Sequence, residues 1–240
     1  MTTVHDLPAT LRSLQEFDAA LLANTLIYID PTPAEEIYLG GSIQCQTSGI
    51  GPMVGIAVTC EMDSSSPGGS YNMDAYYAQL EQIQAIGQPV VWVVKAVGSR
   101  PDHECVLGDG MAKLLYAAGC IGLVTDGGIR DVAGYASVPF HAFARGRVIH
   151  HTPYRIRSTN RPVEIGGLTI HPGDVIHGSA EGVVRLPKGS LAELPERAAK
   201  MRAFEHEAHF IFRRPDLPPR EKAARVGELL VQYGFVKPKA

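Results

Sequence analysis

The sequence predicts a mixed α/β domain with a central sheet flanked by helices, and three observations carry that prediction. Stretches of helical period alternate with short apolar runs from Leu11 to Phe143, as when helices cover the faces of a sheet. From Val163 to Leu186 the chain is instead a series of short strands separated by Gly166-Gly167, Pro172-Gly173 and the stretch Gly178 to Gly182, a compact antiparallel segment. At 240 residues and 45 % hydrophobic content, the chain can bury one real core. Residues 1–212 are read as a single domain, and residues 213–240 as a Pro-rich link with a C-terminal helical arm.

Taken in order, Leu11 to Leu26 has helical periodicity, with Leu11, Leu14, Phe17, Leu21 and Leu22 on one broad face. Pro31 and Pro33 break the chain. Met53 to Cys60 is an apolar strand, and the Ser/Gly/Pro-rich run Asp63 to Ser70 is a loop. Met73 to Ile86 reads as an amphipathic helix through Tyr76, Tyr77, Leu80, Ile83 and Ile86, followed by the strand Pro89 to Val97. Val138 to Phe143 reads as another strand. Ser190 to Arg213 begins with a plausible N-cap and continues as a helix, kinked or restarted at Pro195. The link RRPDLPPR leads to a last helix, Glu221 to Tyr233, expected as an arm on a partner subunit.

A net charge of −3 and a pI near 6.3 give no overall reason to expect nucleic acid or an acidic membrane as partner. There is no apolar run long enough for a bilayer and no signal peptide in MTTVHDLPAT, so the expected location is the cytoplasm. Cys45, Cys60, Cys105 and Cys120 are scattered without C-x-x-C spacing, which argues against a zinc ribbon or a disulfide framework. Gly108-x-Gly110 lacks the third glycine of a dinucleotide loop, and neither a P-loop nor a G-x-S-x-G elbow occurs. Lys95 and Lys113 leave Schiff-base chemistry formally open, with no context that singles either out.

The chemistry concentrates in GDGMAKLLYAAGCIGLVTDGGIRD, Gly108 to Asp131. Met111 to Ala118 favours helix, with Gly119 where a left-handed cap is expected, and Ile121 to Thr125 reads as a buried strand. A helix of about nine residues climbs ~14 Å, and a strand of about five descends ~16 Å. The turn Asp126-Gly127-Gly128 then delivers Arg130 and Asp131 to the level of Asp109. Beside Gly108, the free N–H groups of Gly110 and Met111 suit a substrate carboxylate, and Arg130 can hold another oxygen through its planar fork. Asp131 offers hard oxygen to a magnesium-type cation, and Asp109 can orient a water or a substrate hydroxyl. A plainer reading makes Asp109 an N-cap, Asp126 a turn residue, and Arg130 with Asp131 a surface pair.

The spacing of Asp109, twenty intervening residues, Arg130 and Asp131, inside VLGDGMA and GLVTDGGIRD, resembles the signature of a known family. That family is the metal-dependent 4-hydroxy-4-methyl-2-oxoglutarate / 4-carboxy-4-hydroxy-2-oxoadipate aldolases, which share a fold with the bacterial regulator of ribonuclease activity A. GPMVGIAVTC at 51–60 and RPVEIGGLTIHPGDVIHGSAEGVVRLP at 161–187 extend the likeness over most of the chain between residues 20 and 210. The resemblance implies a swivelling β/β/α fold assembled as a homotrimer or homohexamer. It also implies a Mg2+- or Mn2+-dependent lyase that cleaves a 4-hydroxy-2-oxo di- or tricarboxylic acid to pyruvate and a second oxo compound. Oxaloacetate decarboxylation would follow through the same enolate. By this likeness Asp131 anchors the metal, Arg130 stabilises the enolate oxygen, and Asp109 positions the water that takes the 4-hydroxyl proton. Glu205, with Glu207 as a close rival, would reach a neighbouring subunit's metal site.

Two positions depart from the family pattern: Ser179-Ala180-Glu181 replaces an acidic pair before the GVV strand, and Gly134 stands where relatives often carry an acid. Two other functions stay open. One is a non-catalytic regulator that binds a ribonuclease, a branch that carries Gly in place of Asp109. The other is a hydratase or tautomerase of an oxo acid on the same metal site.

From Val132 to Val163 there is no acidic residue, while Arg145, Arg147, Arg155, Arg157 and Arg161 are present with His141, His150 and His151. Without regularly interleaved aromatics this is no nucleic-acid groove. The expectation is an anion-attracting rim in which Arg145 and Arg147, alternating with Gly146, point the same way and meet the distal carboxylates. A solvated face with ion pairs to acids elsewhere is the plainer alternative.

Overall fold

Asp6 and Asp18 each close the start of a helix, so the N-terminal stretch folds as two helices and not the one its periodicity suggests. The computed structural model describes residues 6–47, 49–151 and 153–236. In α1 (Leu7–Leu14) the Asp6 side chain accepts from the Ala9 N–H at 3.0 Å, and in α2 (Ala19–Ile29) Asp18 accepts from the Leu21 N–H at 2.8 Å. A side-chain cap inside a periodic stretch ends one helix and starts the next, while Leu11, Leu14, Leu21, Leu22 and Leu26 stay buried.

The chain continues through β1 (Gln44–Cys45), β2 (Met53–Asp63), α3 (Met73–Ile86), β3 (Val90–Ala96), β4 (Cys105–Leu107) and α4 (Asp109–Ala117). Then come β5 (Cys120–Thr125), β6 (Gly128–Ile129), β7 (His141–Ala144), β8 (Gly146–Arg147) and β9 (Arg155–Thr159). Two hairpins follow, β10 (Val163–Ile165) with β11 (Leu168–Ile170) and β12 (Val175–Ser179) with β13 (Gly182–Leu186). The chain closes with α5 (Leu194–Phe212) and α6 (Pro219–Gln232). The expected strand from Val138 begins only at His141, because Val132–Ser137 winds into a 3-10 helix.

The main sheet has the order β1-β7-β5-β3-β2-β12-β13, with β9 also paired to β2. Its centre, β2, β3, β5 and β7, is parallel, and β12, β13 and β1 join it antiparallel. Along β3, Val90, Trp92 and Val94 enter the core beneath α3 and α4, while Val91 and Val93 enter a core shared with the β10–β11 hairpin. Burial on both faces accounts for the unbroken apolar run that made this strand readable. Trp92 is fully buried and its indole N–H donates to Gln79 Oε1 at 3.1 Å. A further core joins β12 and β13 to α1, α2 and α5. The result is the predicted α/β class, a near-barrel sheet flanked by helices.

Pro195 lies in the first turn of α5, where a missing N–H costs little, and the Ser190 hydroxyl bonds Asp30 and not the helix start. The last helix, α6, packs against α5 of its own chain. Phe235 is buried, with the Arg197 guanidinium 4.6 Å from its ring centroid and Tyr28 beside it. Among the described residues no helix is long and apolar enough to cross a membrane.

Candidate active site

A second, three-stranded sheet of order β4-β6-β8 positions the site. β4 and β6 run parallel with Leu107 opposite Ile129, and the Arg130 N–H donates to the Leu107 carbonyl at 2.9 Å. Parallel neighbours that end at one level deliver the residues after them side by side: Gly108-Asp109 at the start of α4, and Arg130-Asp131. A Cβ added to Gly108 would lie 3.2 Å from both Arg130 Nε and Asp131 Oδ2. Arg130 Nε itself stands 3.3 Å from Asp131 Oδ2.

Asp131 has φ 57° and ψ 32°, a left-handed conformation that costs a non-glycine residue on the order of 1 kcal/mol. Two hydrogen bonds hold the turn, from the Gly134 N–H to the Asp131 carbonyl at 2.8 Å and from the Tyr135 hydroxyl to the Arg130 carbonyl at 2.9 Å.

Asp109 is the first residue of α4, and Gly108 is the N-cap. Its Oδ2 accepts from Lys113 Nζ, one turn along, at 2.7 Å. That hydrogen bond, helped by the charge of Lys113, the Gly110 N–H and the charge of Arg130, outweighs a smaller desolvation effect. The carboxyl is held below its ordinary value and is ionised at neutral pH.

Asp109 and Arg130 open onto a cleft of about 250 Å3, whose lining does not include Asp131. One part of its lining is Gly108, Asp109, Gly110, Met111 and Arg130; the loops before α3 and β9 add Tyr71, His150, His151 and Tyr154. Cys105 also lines it, but burial pushes its thiol up to about 11, so it is no thiolate nucleophile at neutral pH. Among the described residues no three His, Cys, Asp or Glu side chains gather as a metal cage. A lone exposed carboxylate such as Asp131 fits a hard cation that keeps several waters and takes further oxygens from substrate.

The other sequence-predicted residues lie elsewhere. Arg145 sits in the bend between β7 and β8, donates to the Pro101 carbonyl at 2.5 Å and pairs with Asp102 at 3.5 Å. Arg147 lines a separate cavity of about 680 Å3. The bend at Arg145 breaks the alternation that was to aim both into one site, so within the chain neither lines the cleft. Arg155 and Arg157 both bind the buried Asp63 carboxylate, at 3.0 and 2.6 Å. Glu205 accepts from Asn24 Nδ2 at 3.0 Å, and Glu207 accepts from the Tyr233 hydroxyl, so both have partners in their own chain.

Sequence reasoning missed Lys113 as the partner of Asp109, although an i,i+4 Asp–Lys pair at a helix start is a visible pattern. It also missed Tyr71 and Tyr154, which lie in loops without periodicity.

A family model described as RraA-like, Aldolase/RraA, matches residues 34–185. A Halalkalibacterium halodurans protein provisionally named 4-hydroxy-4-methyl-2-oxoglutarate aldolase is 40% identical over 95 residues, which are 39% of this chain and 44% of that protein. The chain spans about half the length of the curated relatives it matches. In fold it is similar to an uncharacterized protein of Pseudomonas syringae pv. tomato (TM-score 0.66, 23% identity, 94% of each chain). It is also similar in fold to RraAS2 of Streptomyces coelicolor, an unusual member of the RNase ES inhibitor RraA protein family (TM-score 0.65, 23% identity, 84% of this chain and 96% of that one). With the family model covering well over half of its residues, including all of β4, α4, β6 and the turn that carries Asp131, the chain belongs to the RraA-like family, Aldolase/RraA.

Proposed function

We propose that the chain is a lyase dependent on a divalent cation, Mg2+ or Mn2+, that releases pyruvate from a 4-hydroxy-2-oxo acid, with oxaloacetate decarboxylation as a side activity. The observation that carries this reading is the meeting, at the ends of β4 and β6, of Asp109 and Arg130, which line one cleft, with Asp131, whose carboxylate stands 3.3 Å from Arg130 Nε. Ribonuclease regulation would not need an ionised Asp109 held by Lys113 beside a guanidinium.

In this reading Asp131 holds the cation, which when bound supplies Lewis-acid polarisation of the 2-oxo group. The Met111 N–H at the start of α4 and the terminal nitrogens of Arg130 bind the substrate's anionic head. Asp109 accepts the 4-hydroxyl proton, directly or through an oriented water. Because its pKa is lowered it is a weak base, so its larger contribution is orientation. As the proton leaves, the C3–C4 bond breaks, a carbonyl forms at C4, and the electron pair passes to an enolate whose oxygen faces Arg130. Protonation at C3 gives pyruvate.

Loss of carbon dioxide from oxaloacetate reaches the same enolate without a hydroxyl proton to remove. Assembly as a homotrimer or homohexamer belongs to this reading. The test is pyruvate release from a panel of 4-hydroxy-2-oxo acids before and after exhaustive EDTA treatment, with Mg2+ and Mn2+ added back. Activity that survives chelation, or a borohydride-trapped lysine adduct with pyruvate, refutes it.

A further inference from the structure

We propose that the cleft selects 4-hydroxy-2-oxo acids whose tail beyond C4 is uncharged and hydrogen-bonding, read by Tyr71, His150 and His151; this deepens the lyase reading and rests on it. The charged groups at the cleft gather at one end. Asp109 and Arg130 line that end, with Asp131 paired to Arg130, and Lys113 is committed to Asp109. Arg130 is the one guanidinium in the lining among the described residues. None of the five arginines of the 132–163 segment lines this cleft: Arg145 pairs with Asp102, Arg155 and Arg157 with Asp63, and Arg147 lines another cavity.

What remains for the tail is a polar and aromatic surface without a guanidinium or an ammonium. The Tyr71 hydroxyl lies 3.2 Å from His151 Nε2, and His150 lines the cleft beside them. Tyr154 turns its hydroxyl to the Met73 sulfur at 3.4 Å and offers its ring, packed edge-on against Tyr71 at 5.4 Å. A tail hydroxyl or carbonyl finds phenol and imidazole groups as hydrogen-bond partners, and tail carbons find ring surface. A second or third carboxylate would lose water there without gaining a bidentate cation. The volume, about 250 Å3, also falls below the roughly 300–1,000 Å3 of most ligand pockets, which favours a short tail.

Two measurements test this and separate it from the lyase reading. The first is kcat/KM for pyruvate release, with Mg2+, from 4,5-dihydroxy-2-oxopentanoate, 4-hydroxy-2-oxoglutarate and 4-carboxy-4-hydroxy-2-oxoadipate. The second is calorimetric binding of 5-hydroxy-2-oxopentanoate and 2-oxoglutarate, which lack the 4-hydroxyl and cannot be cleaved by this route, with pyruvate as the tail-less reference. The expected result is a preference of about tenfold or more for the uncharged tail in both, reduced to within about threefold by Tyr71→Phe and by His150→Gln with His151→Gln. A preference for the tricarboxylate, or a tail preference that these folded variants leave intact, overturns the inference while cleavage upholds the lyase. Tail-selective binding, lost in the variants, without cleavage of any substrate supports the inference and refutes the lyase. Absence of 2-oxo acid binding overturns both.

Discussion

Gly134 lies directly against the side chain of Asp109: a Cβ at residue 134 would come within 2.7 Å of Asp109 Cβ and 2.8 Å of its Oδ2. The nearest obstacle is Asp109 Cβ, next to the backbone of α4, and not the free end of a flexible chain. The acid often found at this place in the family the sequence resembles has no room while Asp109 keeps this position. Gly134→Ala should therefore push Asp109 aside and lower aldol cleavage on the order of 100-fold, the scale of a misplacement near 1 Å. The site is not in the core, so the melting temperature should fall by less than about 5 °C. Steady-state kinetics alongside a thermal melt checks both, and an Ala variant as active as the parent means that this contact plays no part.

Lys113→Met removes the hydrogen bond that leads in lowering the Asp109 carboxyl. With the pKa depressed, the ionised form persists to lower pH. Without Lys113 the pKa moves back up toward its ordinary value, so the acid limb of kcat/KM should move to higher pH. Near pH 7 Asp109 is ionised in both proteins, and activity there should change by only a few-fold. A pH–rate profile from about pH 3 to 7 decides the matter. An unmoved acid limb would mean that another group sets it.

Met73–Ile86 could be placed from sequence because one apolar face recurs at helical spacing, and Val90–Ala96 because burial on both sides leaves a continuous apolar run. The meeting of Asp109 with Arg130 and Asp131 was legible from length arithmetic, since a short helix up and a short strand down return the chain to its start. What fixes their register was not legible. β4 and β6 contribute three and two residues, too few to show a period, and their pairing joins segments on either side of α4. The direction of Arg145 was lost for a related reason, since alternation orders side chains only within an unbroken strand and the chain bends there. The partner of Arg155 and Arg157 is Asp63, 92 and 94 residues upstream, an ion-pair cluster that no local pattern announces.

Asp131→Asn is the cleanest test of the proposed cation ligand. Asparagine tolerates the left-handed conformation at φ 57° about as well as aspartate, so the variant removes charge and leaves the backbone as it is. The Mg2+ concentration for half-maximal activity should rise at least about tenfold, and any residual activity should be restored only by excess cation. Calorimetric titration of Mg2+ in the presence of pyruvate reads the same loss without turnover. Equal cation affinity in the two proteins moves the ligand role away from Asp131.

Asp109→Asn keeps the shape of the side chain and removes its ability to take a proton. Aldol cleavage, which must deprotonate the 4-hydroxyl, should fall by about 100-fold or more, in the range of a positioned acid–base group. Oxaloacetate decarboxylation, which has no such proton, should fall much less. Both rates measured on one preparation, at one cation concentration, cancel differences in active fraction. Equal losses would assign Asp109 to cation or substrate binding instead.

Asp63 is the buried anchor of the arginine-rich segment, with Arg155 and Arg157 on its carboxylate and the Ser66 N–H donating to Oδ1 at 3.0 Å. Burial alone would raise its pKa. The hydrogen bonds from Arg157 and Ser66 and the charge of Arg155 outweigh that effect and hold the carboxyl well below the usual range. A depressed folded-state pKa contributes stability that is full above the unfolded value near 3.9 and is lost as pH falls toward the folded value. Asp63→Asn leaves two guanidinium groups without their acid, and Arg155 has only 16% of its side chain exposed to water. The variant should lose roughly 3 kcal/mol at pH 7. In urea melts from neutral pH downward, the gap between the two proteins should stay constant to about pH 5 and narrow below pH 4, as the carboxylate of the unfolded wild-type chain binds its proton while the folded one stays ionised. A gap that does not depend on pH would place the cost in packing and not in the ion pair, since loss of shape has no proton to titrate.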